Sequence, residues 1–143
     1  MTQGFLSLLG TEKKGAIISL SSGHVTTNLP GGNSGYGVSK LAAAYLQSYV
    51  AVEYPNVAAV SMAPGMVASD MTKDNFRRFA LDTPELSGGV AVWLATDAAT
   101  FLSGKYIDVN WSVDELLERK EEISANRLLA PTITGRFGKD QFA

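Results

Sequence analysis

The 143-residue sequence contains no cysteine and only one histidine, His24. Without cysteine there is no disulfide framework, no thiolate nucleophile and no cysteine-based metal site, and a single imidazole cannot form a histidine cluster. We therefore expect no bound metal ion. A chain of this composition is interpreted by default as an intracellular protein.

The sequence also lacks an excess of charge of either sign and any long apolar run. Lysine and arginine together number 12 against 14 aspartates and glutamates, a formal net charge of −2 that favours no binding to nucleic acid. No apolar run is long enough to span a membrane, and the first nine residues carry no signal-peptide pattern. We expect one globular, cytoplasmic domain that binds neither membrane nor nucleic acid.

Segments typical of strands and of helices alternate along the chain, which predicts an α/β fold with a parallel sheet. The predicted strands cover residues 16–20, 57–62 and 106–109, and the predicted helices cover residues 36–53, 83–95 and 112–123, with the end of another helix over residues 5–11. Residues 70–82 are either a mobile lid or a surface loop. No pattern predicts an element after residue 125.

Tyr36 and Lys40 lie four residues apart at the start of a predicted helix, so both side chains are expected on one face. A tyrosine hydroxyl is a poor proton donor or acceptor at neutral pH, and a neighbouring ammonium group stabilises the phenolate form. The two side chains together can act as a general acid/base. Taken alone, however, the spacing favours a structural role, because such pairs are common in helices.

The surroundings of this pair resemble the short-chain dehydrogenase/reductase family. The run SSG at 21–23 ends the first predicted strand, YGVSK at 36–40 opens a helix, and APGMVAS at 63–69 ends the second strand. The resemblance covers residues 15–110. It implies that Ser22 polarises a substrate carbonyl, that Tyr36 exchanges a proton with it, and that Lys40 assists Tyr36 while binding the nicotinamide ribose.

The resemblance also implies that Pro64, Gly65 and Ser69 lie along the nicotinamide of NAD or NADP. Two features depart from the family pattern. The serine-to-tyrosine spacing is one residue longer than usual, which leaves Ser21 and Ser22 as alternative donors, and we favour Ser22. The stretch 103–111 lacks the usual Asp-Gly-Gly ending and resembles fungal members with a helical extension, for which a role in secondary metabolism is expected.

No counterpart of the family's dinucleotide-binding half is found. That half consists of a strand, a glycine-rich turn and a helix, and the run GGNSGYG at 31–37 does not fit the G-x-G-x-x-G pattern. We predict a single truncated domain, with a core over residues 1–125 and a tail over 126–143. Its fold is a partial, Rossmann-like, three-layer α/β/α arrangement of about three parallel strands, without the N-terminal dinucleotide-binding half.

The predicted strand 16–20 would then have an open apolar edge, and such an edge invites pairing with another chain. We therefore expect a homodimer or higher homo-oligomer, or a partner that supplies the missing half. His24, Met66 and Met71 are predicted to line a pocket for a small-molecule substrate. The alternatives are a loop or packing role for His24 and a place in the core for the methionines.

Three hypotheses of function follow. The first is an enzyme that needs no cofactor and isomerises, dehydrates or cyclises a carbonyl-bearing small molecule. In it Tyr36 acts as acid/base, Ser22 holds the substrate oxygen and Lys40 assists Tyr36. The second is a fragment of an ordinary NAD(P)-dependent oxidoreductase. The third is a non-catalytic interaction subunit that retains the fold.

Overall fold

The computed structural model describes residues 1–28 and 30–132. The helices are α1 (Thr2–Leu9), α2 (Ser34–Glu53), α3 (Asp74–Arg77), α4 (Pro84–Leu94), α5 (Val113–Glu118) and α6 (Lys120–Ala125), and the strands are β1 (Gly15–Leu20), β2 (Val57–Ala63) and β3 (Tyr106–Asp108). Two 3-10 helices cover Gly23–Val25 and Asp97–Leu102. The strands form one parallel sheet in the order β1-β2-β3, which confirms the predicted α/β fold.

β2 is the central strand, and nearly all of its residues are buried. Successive side chains of a strand point to opposite faces, so Val57 and Ala59 meet one group of helices and Val60 and Met62 meet another. The first face packs against α1 and α2 in a small cluster. The second packs against α4, α5, α6 and the 3-10 helix Asp97–Leu102 in a larger one. Helices therefore cover both faces of the sheet, which gives the three predicted layers.

β1 has a free outer edge within the part of the chain that the structure describes. The amide of Ser21 donates to the carbonyl of Met62 in β2, so the alternate residues Ile18 and Leu20 direct their backbone groups away from β2. No described strand pairs with that side. The ammonium group of Lys40 donates to the carbonyl of Leu20 at 2.9 Å. An open edge is thus present among the described residues, and the oligomeric state stays a prediction.

The C-terminal part differs in detail from the sequence-based expectation. The hydroxyl of Ser112 accepts a hydrogen bond from the amide of Glu115, as expected for the cap of the predicted helix. One continuous helix over 112–123 is nevertheless wrong, since the structure has two. At Arg119, ψ is 13°, and its amide is shared between the carbonyls of Glu115 and Leu117. This departure from helical geometry separates α5 from α6.

Two further segments were not predicted as regular structure. The 3-10 helix Asp97–Leu102 buries Ala99 and Leu102 completely, and α3 lies inside the segment interpreted as a lid or loop. Of the predicted tail, residues 126–132 are described: Leu128 and Leu129 pack against the larger cluster. Residues 133–143 lie outside the described part. None of the described helices is long and apolar enough to cross a membrane.

The packing of α4 on the sheet yields a test of the fold. Leu94 is fully buried in the larger cluster, so Leu94→Ala should lower the free energy of unfolding by about 2–5 kcal/mol, through lost apolar contact and a residual cavity. Val92 lies in the same helix but is 71% exposed, and Val92→Ala should change stability by about 0.5 kcal/mol or less. Urea unfolding followed by circular dichroism measures both. Equal losses for the two variants would contradict this packing.

Candidate functional site at the carboxyl end of the sheet

The carboxyl ends of the three parallel strands bring three chain segments to one edge of the sheet. Ser22 follows β1, Pro64 follows β2 and Asn110 follows β3. The register pairs Leu20 with Met62, so Ser22 and Pro64 each lie two residues beyond the last paired position. Ligands of open α/β sheets ordinarily bind outside this edge. The structure therefore brings together segments that are far apart in the sequence.

Ser22 directs its hydroxyl towards the histidine that follows it. It caps the 3-10 helix Gly23–Val25: its Oγ accepts a hydrogen bond from the amide of His24 at 3.4 Å and lies 3.1 Å from His24 Nδ1. Ser22 is partly exposed, whereas Ser21 is only 3% exposed. Of the two alternatives, Ser22 therefore has the accessible hydroxyl. Its catalytic role stays a prediction.

Tyr36 and Lys40 lie on the first turns of α2 and meet the end of β1. The ring of Tyr36 packs edge-to-face against His24, with 5.2 Å between ring centroids and 86° between ring planes. The ammonium group of Lys40 lies 5.7 Å from the centroid of the Tyr36 ring and is held by the carbonyl of Leu20. Tyr36 is 38% exposed, so a ligand can reach it from solution.

Ser22, Tyr36 and Lys40 are called the Ser–Tyr–Lys group below. His24 is not a member of the group but connects two of its members. Ser22 contacts His24, His24 contacts Tyr36, and Tyr36 contacts Lys40. No ion pair between its lysine and a carboxylate is found among the described residues. The ammonium group is therefore available to stabilise negative charge on a nearby oxygen. Two hydroxyls and one cation in this arrangement can move a proton to or from an oxygen atom.

The turn after β2 is held by an aspartate that the sequence analysis did not single out. Asp82 Oδ2 accepts hydrogen bonds from the amide of Met66 at 2.6 Å and from the side chain of Asn110 at 3.4 Å. The amide of Asp82 donates in return to the carbonyl of Met66 at 3.1 Å. Gly65 adopts φ +76°, and a Cβ added there would lie 2.5 Å from Asp82 Oδ2. The turn is therefore fixed by backbone conformation and by the carboxylate together.

Asp82 and Asn110 were missed because no local pattern points to them. Asp82 is 16 residues from the amide that it binds, and 28 residues separate it from Asn110. The only sequence signal nearby is the Thr83 cap, which predicts a helix start and no contact with the turn.

The remaining predicted ligand-binding residues lie on the segment that follows this turn. The amide and hydroxyl of Ser69 both bind the hydroxyl of Thr72, at 3.1 and 3.3 Å. Met66 is 41% exposed and Met71 is 80% exposed. Within the described residues, no hydrogen bond joins these side chains to the Ser–Tyr–Lys group. Their roles in binding a cofactor or substrate stay predictions.

The largest perturbation of a titratable group lies away from this edge. Burial, followed by the nearby charge of Asp108, raises the pKa of Tyr106 to about 12. Tyr106 packs edge-to-face against Trp111 with 6.1 Å between ring centroids. Perturbed groups are frequent at functional sites, but this one belongs to the packed interior and we interpret it as structural. The described residues contain no cluster of three or more side chains suited to a metal ion.

A parallel sheet covered by helices on both faces is a Rossmann-like α/β fold, and comparison with known proteins identifies the family. The family profile described as short chain dehydrogenase matches residues 1–79. Short chain dehydrogenase mpl6 of Monascus purpureus is 36% identical over 129 residues, which cover 86% of this chain and 44% of that protein. Short chain dehydrogenase/reductase nsrO of Aspergillus novofumigatus is 34% identical, covering 89% and 47%. The chain belongs to the short-chain dehydrogenase/reductase family.

Solved structures give the same fold. An oxidoreductase of this family from Burkholderia thailandensis matches with a TM-score of 0.58 and 20% identity, over 76% of this chain and 49% of that one. Acetoin dehydrogenase YohF from Salmonella typhimurium matches with a TM-score of 0.54 and 24% identity, over 65% and 40%. At these identities the likeness concerns the fold alone. The chain spans less than half the length of the curated relatives named above.

The close approach at Gly65 yields a test of the site's architecture. Gly65→Ala should destabilise the protein by about 1–3 kcal/mol, because alanine disfavours a positive φ and its Cβ would collide with Asp82. Gly88 in α4 is the matched control: an added Cβ meets nothing within 4 Å, and Gly88→Ala should stabilise the helix by about 0.5–1 kcal/mol. Thermal and urea unfolding measure both changes. A Gly65→Ala protein as stable as the parent would rule out this arrangement of the turn.

Proposed function

We propose that the Ser–Tyr–Lys group transfers a proton at the carbonyl or hydroxyl oxygen of a small molecule. The observation that carries this proposal is the unbroken series of contacts from Ser22 through His24 and Tyr36 to Lys40, at the carboxyl end of β1. Membership of the short-chain dehydrogenase/reductase family supports it. The substrate class is a carbonyl compound or the corresponding alcohol or enol.

Each member of the group has a distinct part in this mechanism. Tyr36 gives its hydroxyl proton to the carbonyl oxygen, or accepts one from a substrate hydroxyl in the reverse direction. Ser22 donates a hydrogen bond to the same oxygen, which stabilises the negative charge that develops there. Lys40 lies beside the ring of Tyr36 and stabilises the tyrosinate left after proton transfer. Tyr36 then regains its proton from solvent.

The first use of this chemistry requires no cofactor. In an isomerisation, a dehydration or a cyclisation, the atoms of the substrate rearrange while the protein only holds an oxygen and moves protons. The three side chains fit such a step: as Tyr36 protonates the carbonyl oxygen, water takes the proton that the neighbouring carbon loses, and the C–H electron pair becomes the enol double bond. Ser22 donates a hydrogen bond to the same oxygen, and Lys40 carries the compensating charge. The exposed position of Tyr36 leaves room for a substrate to approach from solution.

The second use is the acid/base half of an oxidoreductase reaction, and the names of the relatives favour it. Several are named short chain dehydrogenases. The nicotinamide end of NAD or NADP would be held here by Lys40, whose ammonium group can donate to the ribose hydroxyls, and by the turn at Gly65, which follows β2 at the same edge of the sheet. Pro64 and Ser69 belong to the same segment. Bound there, such a cofactor would supply a hydride to the carbonyl carbon in reduction, or accept one from the alcohol carbon in oxidation.

Replacement of Tyr36 tests the proton-transfer proposal. Small ketones, aldehydes and unsaturated carbonyl compounds are incubated with the protein, with and without NADH or NADPH, and turnover is followed by NMR. Tyr36→Phe removes only the hydroxyl and should lower turnover at least about 100-fold. Tyr45→Phe is the control, because Tyr45 lies farther along α2 and packs against Tyr49. Turnover indifferent to Tyr36→Phe would refute the proposal and favour a non-catalytic interaction subunit.

Titration with NADH and with NADPH, followed by nicotinamide fluorescence, separates the two uses. Binding in the micromolar range favours the oxidoreductase reaction, and Lys40→Gln should then weaken it about 10-fold, because a charged hydrogen-bond donor is lost. Lys14→Gln is the control, since Lys14 is exposed and pairs with Asp97. No binding, together with turnover that depends on Tyr36, favours the cofactor-independent reaction.

A further inference from the structure

His24 occupies a position that the proposed proton transfer does not use. It is the only histidine of the chain, and its imidazole lies between Ser22 and Tyr36, with Nδ1 at 3.1 Å from the Ser22 hydroxyl and the ring packed edge-to-face on Tyr36. It also lines a groove of about 410 Å³ beside the first turns of α2. One side chain thus contacts the hydroxyl of Ser22 and the ring of Tyr36.

The contact with His24 limits the hydrogen bonds that the Ser22 hydroxyl can make with a substrate. A serine hydroxyl has one hydrogen to donate and two lone pairs to accept with. One lone pair of Ser22 Oγ already faces the amide of His24. If Nδ1 carries a hydrogen, it fills the second lone pair, and the hydrogen of Ser22 is free for the substrate. If Nδ1 carries none, it accepts that hydrogen, and Ser22 offers a lone pair instead.

We propose that His24 is a positioning residue that sets the direction of the Ser22 hydroxyl, so that Ser22 donates to a substrate carbonyl oxygen when Nδ1 bears a proton. With Nδ1 unprotonated, Ser22 accepts from a substrate hydroxyl. This inference rests on the proposed function, because it assigns a state of His24 to each direction of that reaction. Through the state of Nδ1, His24 lets the site discriminate between carbonyl and hydroxyl substrates, which the three catalytic side chains alone do not do.

Few titratable side chains surround His24. In the sequence, neither residues 20–23 nor residues 25–35 include a titratable side chain. α2, which packs against the 3-10 helix Gly23–Val25, presents Tyr36 and Lys40. His24 Nε2 makes no hydrogen bond with the described residues, and the imidazole lines the groove, so a proton can reach it from solvent. Imidazole ordinarily changes charge between pH 5 and 8.

The first test needs no substrate and uses the whole chain. NMR spectra of protein labelled with ¹⁵N and ¹³C follow the His24 imidazole from pH 5 to 8, and its signal is unambiguous in a chain with one histidine. The β-carbon signal of Ser22 should move together with the imidazole, while that of buried Ser21 should not. In His24→Asn the response of Ser22 should disappear. A Ser22 signal that stays constant while the imidazole titrates overturns the proposal, whatever the protein catalyses.

The second test uses the carbonyl substrate found in the NMR screen described above, in which Tyr36→Phe served as the inactive reference. For the parent protein, kcat/KM in the direction that consumes the carbonyl should fall about 10-fold across the same pH interval in which the NMR series shows Nδ1 losing its hydrogen. His24→Asn places an amide, which does not titrate, near the position that Nδ1 occupies in the parent. The kcat/KM of this variant should therefore not fall with pH. His24→Phe keeps an aromatic ring against Tyr36 but neither donates to nor accepts from Ser22, so its kcat/KM should also lose the pH dependence of the parent.

The outcomes separate the two proposals. If His24→Asn or His24→Phe keeps the pH profile of the parent, then the positioning role is wrong although the proton-transfer proposal stands. If no turnover depends on Tyr36, the proposed function fails, and the NMR titration still decides whether His24 controls the Ser22 hydroxyl.

Discussion

The parallel pairing of β1 with β2 is the constraint on which the rest of the structure depends. Six residue pairs, from Gly15 with Val57 to Leu20 with Met62, fix the register of the two strands. Because the strands run in the same direction, the segments that follow them leave from one edge of the sheet. A slip of the register by one residue would turn every side chain of β1 to the opposite face. The candidate site exists only in the observed register.

Much of the fold could be predicted because its signals are local. Apolar runs mark the strands, and the spacing of Tyr36 and Lys40 and the Thr83 cap depend on neighbours within one helical turn. The contact of Asp82 with the turn at Gly65 is different in kind, since it joins positions 16 residues apart that only the folded sheet brings together. Such a contact leaves no pattern in a single sequence.

Strand geometry distinguishes the two neighbouring serines, Ser21 and Ser22, which the sequence alone left as alternatives. The amide of Ser21 continues the ladder to Met62, and its side chain is buried, with a hydroxyl that makes no hydrogen bond among the described residues. The next residue points the other way, as alternation requires. The extra residue between serine and tyrosine falls in the loop before α2, where Gly31 and Gly32 adopt positive φ, and Tyr36 still packs on His24.

Lys40 links the chemistry of the site to the open edge of the sheet. Its ammonium group has three hydrogens to donate, and one is engaged by the carbonyl of Leu20, the last edge-facing residue of β1. That carbonyl belongs to the row of backbone groups that an added strand would use. A carbonyl oxygen has a second lone pair, so a neighbouring strand can pair with Leu20 without displacing Lys40. The position of Lys40 beside Tyr36 is therefore compatible with an open or a paired edge.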